Sequence, residues 1–269
     1  VSRLALERDL RRAIERGELS LHYQPIVDLS DEATVKVEAL LRWQHPVRGD
    51  ISPVEFIPLA EETGQIRTLG RWVLREACRQ ARAWQEAGTP IVVAVNLTAH
   101  EFQQPTLADE IVSALAEARL AAEYLVLEIT ESVAMYDAAT TVATLTTLRA
   151  HGIHVAIDDF GTGYSSLTYL KRLPVNTLKI DRAFIDGLGT DAESTAIVEA
   201  IITLAHTLGL RVIAEGVETP AQAHQLRAMG CDFAQGYHFS RPQPAAAIMA
   251  TLTHIDPWAT ALTGSRSGQ

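Results

Sequence analysis

Short apolar runs alternate with longer stretches at helical spacing, and this alternation constrains the fold more than any other feature of the chain. The strand-like runs of this series are 91–97, 124–130, 153–158, 176–180, 211–215 and 231–237. The helical stretches before, between and after them are 53–62, 66–87, 107–118, 137–150, 164–172, 191–208, 219–229 and 243–253. Such an alternation predicts an α/β fold, with a parallel sheet inside a layer of helices.

The start of the chain departs from this parallel pattern. Residues 4–16 carry apolar positions at helical spacing and predict a surface helix. Two strand-like runs follow at 19–29 and 34–43. Only Ser30 to Ala33 separates them, which is too short for a crossover helix, so we predict that these two strands are antiparallel. The length of 269 residues fits a single barrel domain, since one (β/α)₈ barrel typically takes about 250 residues.

Seven polar residues lie where apolar runs end. They are Glu38, Asn96, Glu128, Asp158, Asp159, Lys179 and Glu215. The downstream ends of the strands of a parallel barrel converge on one face, so we expect these side chains to share one pocket. Such a concentration of carboxylates around a single amine is not electrically stable without a further cation. Oxygen ligands of this kind suit magnesium or manganese, and the sequence therefore predicts a metal-dependent enzyme.

Each of these residues also has an ordinary structural interpretation. A single glutamate at a strand end is most often a solvated loop residue or a helix cap. A charged group in a context as apolar as VKVEALLRW is costly, however, unless it is paired or binds a metal. Asp158 and Asp159 are adjacent and point in different directions, which makes them the best candidates for bridging two ions, although Asp159 alone is also credible as a cap. For Lys179, neutralising the carboxylates and acting directly in catalysis are equally supported.

The composition argues against several classes of protein. A formal net charge of −10 and a pI of about 5.4 argue against binding long nucleic acids through their phosphates. No apolar stretch approaches the roughly 18 residues that a membrane-spanning helix needs, and the N-terminus lacks a signal-peptide pattern. Cys78 and Cys231 have no CxxC spacing and are expected to be reduced core thiols. We therefore expect a cytoplasmic domain that makes no membrane contact.

A series of motifs, in fixed order, carries a more specific signal. The motifs are YQPIVDL (23–29), EALLRW (38–43), VNLT (95–98), EITES (128–132), DDFGTGYSSL (158–167), LKID (178–181), AEGVET (214–219) and AQGYHFSRP (234–242). Together they resemble the EAL domain family, phosphodiesterases of the bacterial second messenger cyclic di-GMP. The resemblance covers residues 17–245. It implies a modified TIM (β/α)₈ barrel with one antiparallel strand, in agreement with the predicted hairpin.

The resemblance also implies a role for each candidate residue. The implied metal ligands are Glu38, Asn96, Glu128, Asp158 and Asp159. The implied catalytic residues are Glu215 as general base, Lys179 on the attacking water, and Glu131 as the anchor of the loop 159–167. The implied substrate contacts are Gln24 and Arg42, with Gln235 bordering the metal site and with Asp181 and Glu218 as further supports.

The implied reaction is hydrolysis of one phosphodiester bond of cyclic di-GMP, which gives linear pGpG. Two Mg²⁺ or Mn²⁺ ions would serve it, and Ca²⁺ would inhibit because it prefers longer bonds and looser coordination. One alternative is a cyclic di-GMP receptor that binds without cutting, although the chain keeps every metal and base position. Others are an unrelated metal-dependent barrel with a lysine base and a domain that acts mainly through partners.

The sequence also suggests how the domain is used. We expect one EAL-type domain over 1–258 and a disordered tail over 259–269. The chain does not begin with Met, which suggests a longer protein with upstream sensory or cyclase domains, whether membrane-anchored or not. The resemblance further implies a homodimer that forms through the loop 159–167.

Overall fold

Eight strands close into a barrel in the computed structural model, which describes residues 3–163 and 167–252. The described residues contain ten strands in all, and eight of them form the barrel. The ten strands are β1 (Leu19–Asp28), β2 (Thr34–His45), β3 (Gly49–Ile51), β4 (Val92–Leu97), β5 (Leu125–Thr130), β6 (His154–Phe160), β7 (Thr177–Ile180), β8 (Arg211–Ala214), β9 (Phe233–Ala234) and β10 (Gln243–Pro244). The barrel runs in the order β1, β9, β8, β7, β6, β5, β4 and β2, and β2 pairs again with β1. β3 and β10 extend it at the edges of β2 and β1.

One strand of the barrel is antiparallel to its neighbours. β1 pairs antiparallel with β2 across the predicted hairpin, where Gln24 lies opposite Glu38, and it pairs antiparallel with β9, where Val27 lies opposite Ala234. Every other pair in the closed barrel is parallel. The prediction of a modified TIM barrel with one antiparallel strand is therefore confirmed.

Helices surround the barrel. They are α1 (Arg3–Ala13), α2 (Pro53–Glu62), α3 (Ile66–Glu86), α4 (Ala99–Phe102), α5 (Leu107–Ala118), α6 (Glu131–Tyr136), α7 (Ala138–Ala150), α8 (Leu167–Leu170), α9 (Arg182–Asp186), α10 (Ala192–Thr207), α11 (Pro220–Ala228) and α12 (Ala245–Leu252). Across the described part of the chain, none of them has both the length and the apolar character that crossing a bilayer would require.

The barrel strands are apolar because both of their faces are covered. In β5, Leu125 to Ile129 are all buried, which is the pattern of a parallel strand with helices outside and side chains inside. The lower barrel interior is filled by small and apolar side chains, and one such layer contains Val92, Ala94, Val126 and Ala156. The filled interior leaves the downstream ends of the strands as the open face, which we call the barrel mouth.

Several boundaries differ from the sequence-based prediction. The short helices α4, α6 and α9 were missed because none of them is long enough to show an apolar period. The helix expected over 137–150 begins one residue later, since the Asp137 side chain caps it by accepting from the Ala139 and Thr140 amides. The strand expected over 231–237 is reduced to Phe233–Ala234.

Some predictions lie at or beyond the edges of the described residues. The helix expected over 164–172 is Leu167–Leu170 in the described part, and residues 164–166 lie outside it. The helix expected over 243–253 begins at Ala245 because Gln243 and Pro244 form β10 instead. The domain end at 258 and the tail 259–269 lie outside the described residues, so both remain predictions.

Both cysteine thiols should be unreactive in the folded protein. Cys78 and Cys231 are buried, and burial raises the pKa of each thiol to about 12. At pH 8 almost no thiolate forms, and the sulfur atoms are out of reach. We expect no reaction with Ellman's reagent in the native state and two thiols per chain after denaturation. Rapid native labelling of either cysteine would contradict this packing.

Candidate metal centre

The barrel mouth collects the polar residues that end the strands. β2 carries Glu38, β4 carries Asn96, β5 carries Glu128, β6 carries Asp158 and Asp159, and β7 carries Lys179. The parallel register places Asn96 beside Glu128 on neighbouring strands. Glu215 follows β8 and Gln235 follows β9, so every strand of the parallel part contributes to one face.

Lys179 is the centre of this face. Its side chain is fully buried, and its Nζ lies 2.6 Å from Glu215 Oε1 and 2.7 Å from Glu128 Oε2. Asp158 Oδ2 lies 3.2 Å away and Glu38 Oε2 lies 3.8 Å away. We call these four acids the carboxylate cluster. The predicted neutralising contacts of Lys179 are therefore present, while its catalytic role remains a prediction.

The cluster carries more negative charge than one lysine can neutralise. The pKa of Glu215 is raised to about 8, chiefly by burial and also by the nearby Asp158 and Glu38, while Lys179 opposes this shift. Burial likewise raises the pKa of Glu128, against the effect of Lys179. Burial alone would lower the pKa of Lys179, but the four surrounding carboxylates raise it well above its usual value. The ammonium therefore stays charged, and the acids lack sufficient positive charge.

Two amides orient Glu38. Asn96 Nδ2 donates to Glu38 Oε1 at 2.6 Å, and Gln235 Nε2 donates to Glu38 Oε2 at 2.6 Å. Gln235 Nε2 also donates to Gln24 Oε1 at 3.0 Å, and Gln24 Nε2 donates to the Ser240 carbonyl at 3.1 Å. Both amides bound to Glu38 use their nitrogens there, and among the described residues the Gln235 oxygen accepts no hydrogen bond, which suits it to act as a ligand.

The backbone turns sharply between Asp158 and Asp159 at the end of β6. Asp159 has a φ of 53°, in the left-handed region, and its amide donates to Asp158 Oδ1 at 2.9 Å. The nearby Asp181 caps α9 by accepting from the Ala183 amide at 2.8 Å. Burial raises the pKa of Asp159 to about 6, with Asp158 and Asp181 contributing. The turn thus brings both carboxylates of the pair to the barrel mouth.

The residues present fit a bound divalent cation. Asp158, Asp159 and Glu215 can each offer a carboxylate oxygen, and these oxygens lie within 4.8 Å of one another. Glu128 Oε1 and Gln235 Oε1 are buried and accept no hydrogen bond from the described residues. Buried oxygens without donors beside an excess of carboxylates are the ligands that a hard cation satisfies. The site is therefore an acidic cluster that could bind metal.

Glu131 anchors the loop that follows β6. It is the first residue of α6, its side chain is buried, and its Oε2 accepts from the Gly161 amide at 2.8 Å and from the Gly163 amide at 3.3 Å. These two bonds hold the beginning of the loop 159–167 beside the carboxylate cluster. Residues 164–166 lie outside the described part of the chain, so the predicted dimer contact there is not described.

Two predicted substrate residues lie at the mouth but do not touch the cluster. The Arg42 guanidinium is half-buried and donates to the Leu41 carbonyl at 2.9 Å. Glu218 accepts from Arg182 Nη2 at 2.8 Å, on the loop after β8. Among the described residues, neither side chain forms a hydrogen bond or an ion pair with the four acids of the carboxylate cluster.

Sequence reasoning missed one buried acid at this face. Glu101 lines a cavity of about 210 Å³ together with Arg42 and Asn96. The sequence does contain a local pattern that includes this residue. Thr98 is followed three residues later by Glu101, which is the spacing of a capping box. The box predicts a helix start but gives no indication that its glutamate is buried.

Comparisons with known proteins agree with the motif series. The EAL domain family matches residues 7–242. The chain is 50% identical over 250 residues to the bifunctional diguanylate cyclase/cyclic di-GMP phosphodiesterase MucR of Pseudomonas aeruginosa, covering 93% of this chain and 36% of MucR. It is 48% identical over 246 residues to the cyclic di-GMP phosphodiesterase NbdA of the same organism, covering 91% of this chain and 31% of NbdA. The chain thus spans about a third of the length of these curated relatives.

A solved structure has the same fold. The PaMucR phosphodiesterase in complex with c-di-GMP superposes with a TM-score of 0.88 at 50% identity, covering 91% of this chain and 99% of that one. Because half of the aligned residues are identical, the similarity extends beyond the barrel fold to the sequence itself.

Removing the central ammonium should destabilise the metal-free protein. Lys179→Met leaves the carboxylate cluster buried without its cation, so in EDTA at pH 7.5 we expect the free energy of unfolding to fall by about 3–5 kcal/mol, measured in urea. Lys171→Met is the control, because Lys171 is exposed, and we expect it to change stability by less than about 0.5 kcal/mol. Equal stability of the two variants would contradict the central role of Lys179.

Proposed function

The chain belongs to the EAL domain family, and from that premise we propose that it hydrolyses cyclic di-GMP to linear pGpG with the help of divalent cations. The observation that carries the proposal is the carboxylate cluster around Lys179, because every residue that the family resemblance assigns to metal binding lies at the same barrel mouth. MucR and NbdA, the relatives compared above, are named as cyclic di-GMP phosphodiesterases, which supports the same reaction.

The reaction opens the cyclic dinucleotide at one phosphate. A water oxygen attacks phosphorus, the bond from phosphorus to the 3′ oxygen breaks, and the leaving 3′ oxygen takes a proton. The product is linear pGpG, with a new 5′ phosphate and a free 3′ hydroxyl. No redox partner is needed, since the second reactant is water.

We assign the metal-holding role to the residues that offer oxygen at the mouth. The proposed ligands are Glu38, Asn96, Glu128, Asp158 and Asp159, and the proposed ions are two Mg²⁺ or Mn²⁺. Bound there, such ions would neutralise the phosphate oxygens and make a water molecule more acidic. Ca²⁺ is expected to inhibit, because the closely spaced donors do not suit its longer bonds.

Glu215 is the proposed general base. Its carboxylate accepts a proton from the attacking water, and Lys179, 2.6 Å away, fixes its orientation. The same ammonium contacts Glu128 and Asp158, so one side chain aligns the base with the proposed ligands. Lys179 is also suited to donating a hydrogen bond to the water.

The remaining residues would position the substrate and the loop. Arg42 is proposed to contact a phosphate, which suits a guanidinium at the edge of the mouth. Gln24 and Gln235 form a hydrogen-bonded pair beside Glu38 and would border the nucleotide. Glu131 holds the loop after β6, and Asp181 and Glu218 support Asp159 and Arg182 respectively.

We further propose how the domain is used. The relatives compared above are about three times as long as this chain, which supports additional sensory or cyclase domains in the complete protein. The domain is proposed to act in the bacterial cytoplasm, where its nucleotide substrate would be found, and to form a homodimer through the loop 159–167. Size measurement of the isolated domain in solution tests the dimer.

The direct test is turnover of cyclic di-GMP. We expect the chain with Mg²⁺ or Mn²⁺ to produce pGpG, separated by chromatography, and we expect EDTA or Ca²⁺ to suppress it. Glu215→Gln should lower the rate by about 10²–10⁴-fold while keeping nucleotide binding, because it cannot accept a proton. Glu199→Gln is the control, since Glu199 is exposed on α10, and it should retain the full rate.

Two outcomes would contradict the assignment. Full activity of Glu215→Gln would remove Glu215 as the base. Binding of cyclic di-GMP without any product, in the wild-type chain, would indicate a receptor instead of an enzyme.

A further inference from the structure

The turn directly behind Asn96 is closed by a single carboxyl group. Asn96 lies near the end of β4, and α4 begins at Ala99 with Thr98 as its N-cap. Glu101 Oε2 accepts from the Thr98 amide at 3.0 Å and from Thr98 Oγ1 at 2.7 Å, while the Glu101 amide donates to Thr98 Oγ1 at 3.4 Å. The segment that leaves the metal centre is therefore fixed within two residues of Asn96.

Glu101 is buried, which a capping role alone does not explain. Only 9% of the residue is exposed, and burial raises the pKa of its carboxyl. Among the described residues no lysine, arginine or histidine forms an ion pair with it. The other complete capping box of the described residues, Thr219 with Gln222 on α11, uses a neutral amide instead. Burying a carboxyl group without a cation costs free energy, so contacts within the fold must offset that cost.

α3 is built to receive this carboxyl. A Cβ placed on Gly70 would lie 1.4 Å from Glu101 Oε1, so the carboxyl occupies the space that any other residue would fill. Glycine within a long helix is unfavourable relative to alanine, and here its missing side chain is what allows the contact. Glu101 thus joins the turn after β4 to the second turn of α3.

The Asn96 amide has few contacts besides this turn. Among the described residues its side chain makes one hydrogen bond, the 2.6 Å bond to Glu38, and the residue is exposed at the mouth. Asn96, Thr98, Glu101 and Gly70 line the same cavity of about 210 Å³. The bond to Glu38 and the backbone on either side of Asn96 therefore set its orientation, and the turn after β4 forms the downstream part of that backbone.

We infer that Glu101 is a positioning residue for the metal centre. Seated on Gly70, its carboxyl fixes the turn after β4 and thereby holds the Asn96 amide against Glu38, with the amide oxygen free for a cation. This inference rests on the proposed function, in which Asn96 is a metal ligand. Glu101 itself touches neither the proposed ions nor the reacting atoms.

The test compares two substitutions of similar size with Mn²⁺ alone as the probe. Glu101→Met keeps the volume and loses the acceptor, so we expect Mn²⁺ affinity, measured from the free-ion electron paramagnetic resonance signal, to fall about tenfold or more. Glu101→Gln keeps an oxygen acceptor for Thr98 and should bind Mn²⁺ almost as tightly as the wild type. Amide hydrogen exchange of Leu97 and Thr98 should rise in the Met variant only.

A cap far from the site controls for general loss of stability. Asp191 accepts from the Glu193 and Ser194 amides at the start of α10, so Asp191→Ala should lower the unfolding temperature without changing Mn²⁺ affinity. Thr98→Val removes the 2.7 Å hydroxyl bond to Glu101 Oε2 while leaving the Thr98 amide bond, and it replaces Glu101→Met if that variant does not fold. Unchanged Mn²⁺ affinity in Glu101→Met or in its replacement, or an equal loss in Asp191→Ala, would overturn the inference.

The failure of the inference can be told apart from the failure of the proposed function. If the wild-type chain yields no pGpG, the proposed function fails, and the Mn²⁺ measurements still decide the role of Glu101. If the wild type hydrolyses cyclic di-GMP and all variants bind Mn²⁺ equally, only the inference fails.

Discussion

The structure depends on one buried ammonium group surrounded by four carboxylates. Lys179 has no exposed surface, and it contacts acids from β2, β5, β6 and the end of β8. A single positive charge cannot neutralise all of them, and the buried acids respond with raised pKa values. The mouth therefore carries an excess of negative charge that a divalent cation would relieve. This imbalance is costly for folding and useful for binding, as is common at functional sites.

The barrel topology brings these groups together. Parallel strands end at the same face, so residues as distant in sequence as Glu38 and Glu215 become neighbours of one lysine. The antiparallel β1 adds Gln24 to this face, because it lies opposite Glu38 in the hairpin. Short helices directly after β4, β5 and β7 then hold the strand ends in place through Glu101, Glu131 and Asp181.

The sequence predicted the fold and the gathering of Lys179 with acids at one face, but not the details that orient these side chains. Local pattern and chain length were enough to predict the strands of the barrel. Examples are the apolar run before Glu128 and the four-residue link in the hairpin. The sequence alone could not predict the left-handed φ of Asp159 or the burial of Glu101, because each depends on contacts with distant elements. For Lys179, pairing with carboxylates followed from charge, whereas the number of its partners required the three-dimensional structure.

A crystal structure of the protein soaked with Mn²⁺, with anomalous diffraction recorded at the manganese edge, tests the central claim most directly. The proposed function predicts two anomalous peaks at the barrel mouth, with Glu38, Asn96, Glu128, Asp158 and Asp159 as the residues that would hold the ions. An empty mouth at saturating Mn²⁺, with Lys179 still enclosed by the four acids, would contradict it. The cluster would then be a buried ion-pair network and the proposed metal-dependent hydrolysis would lose its basis.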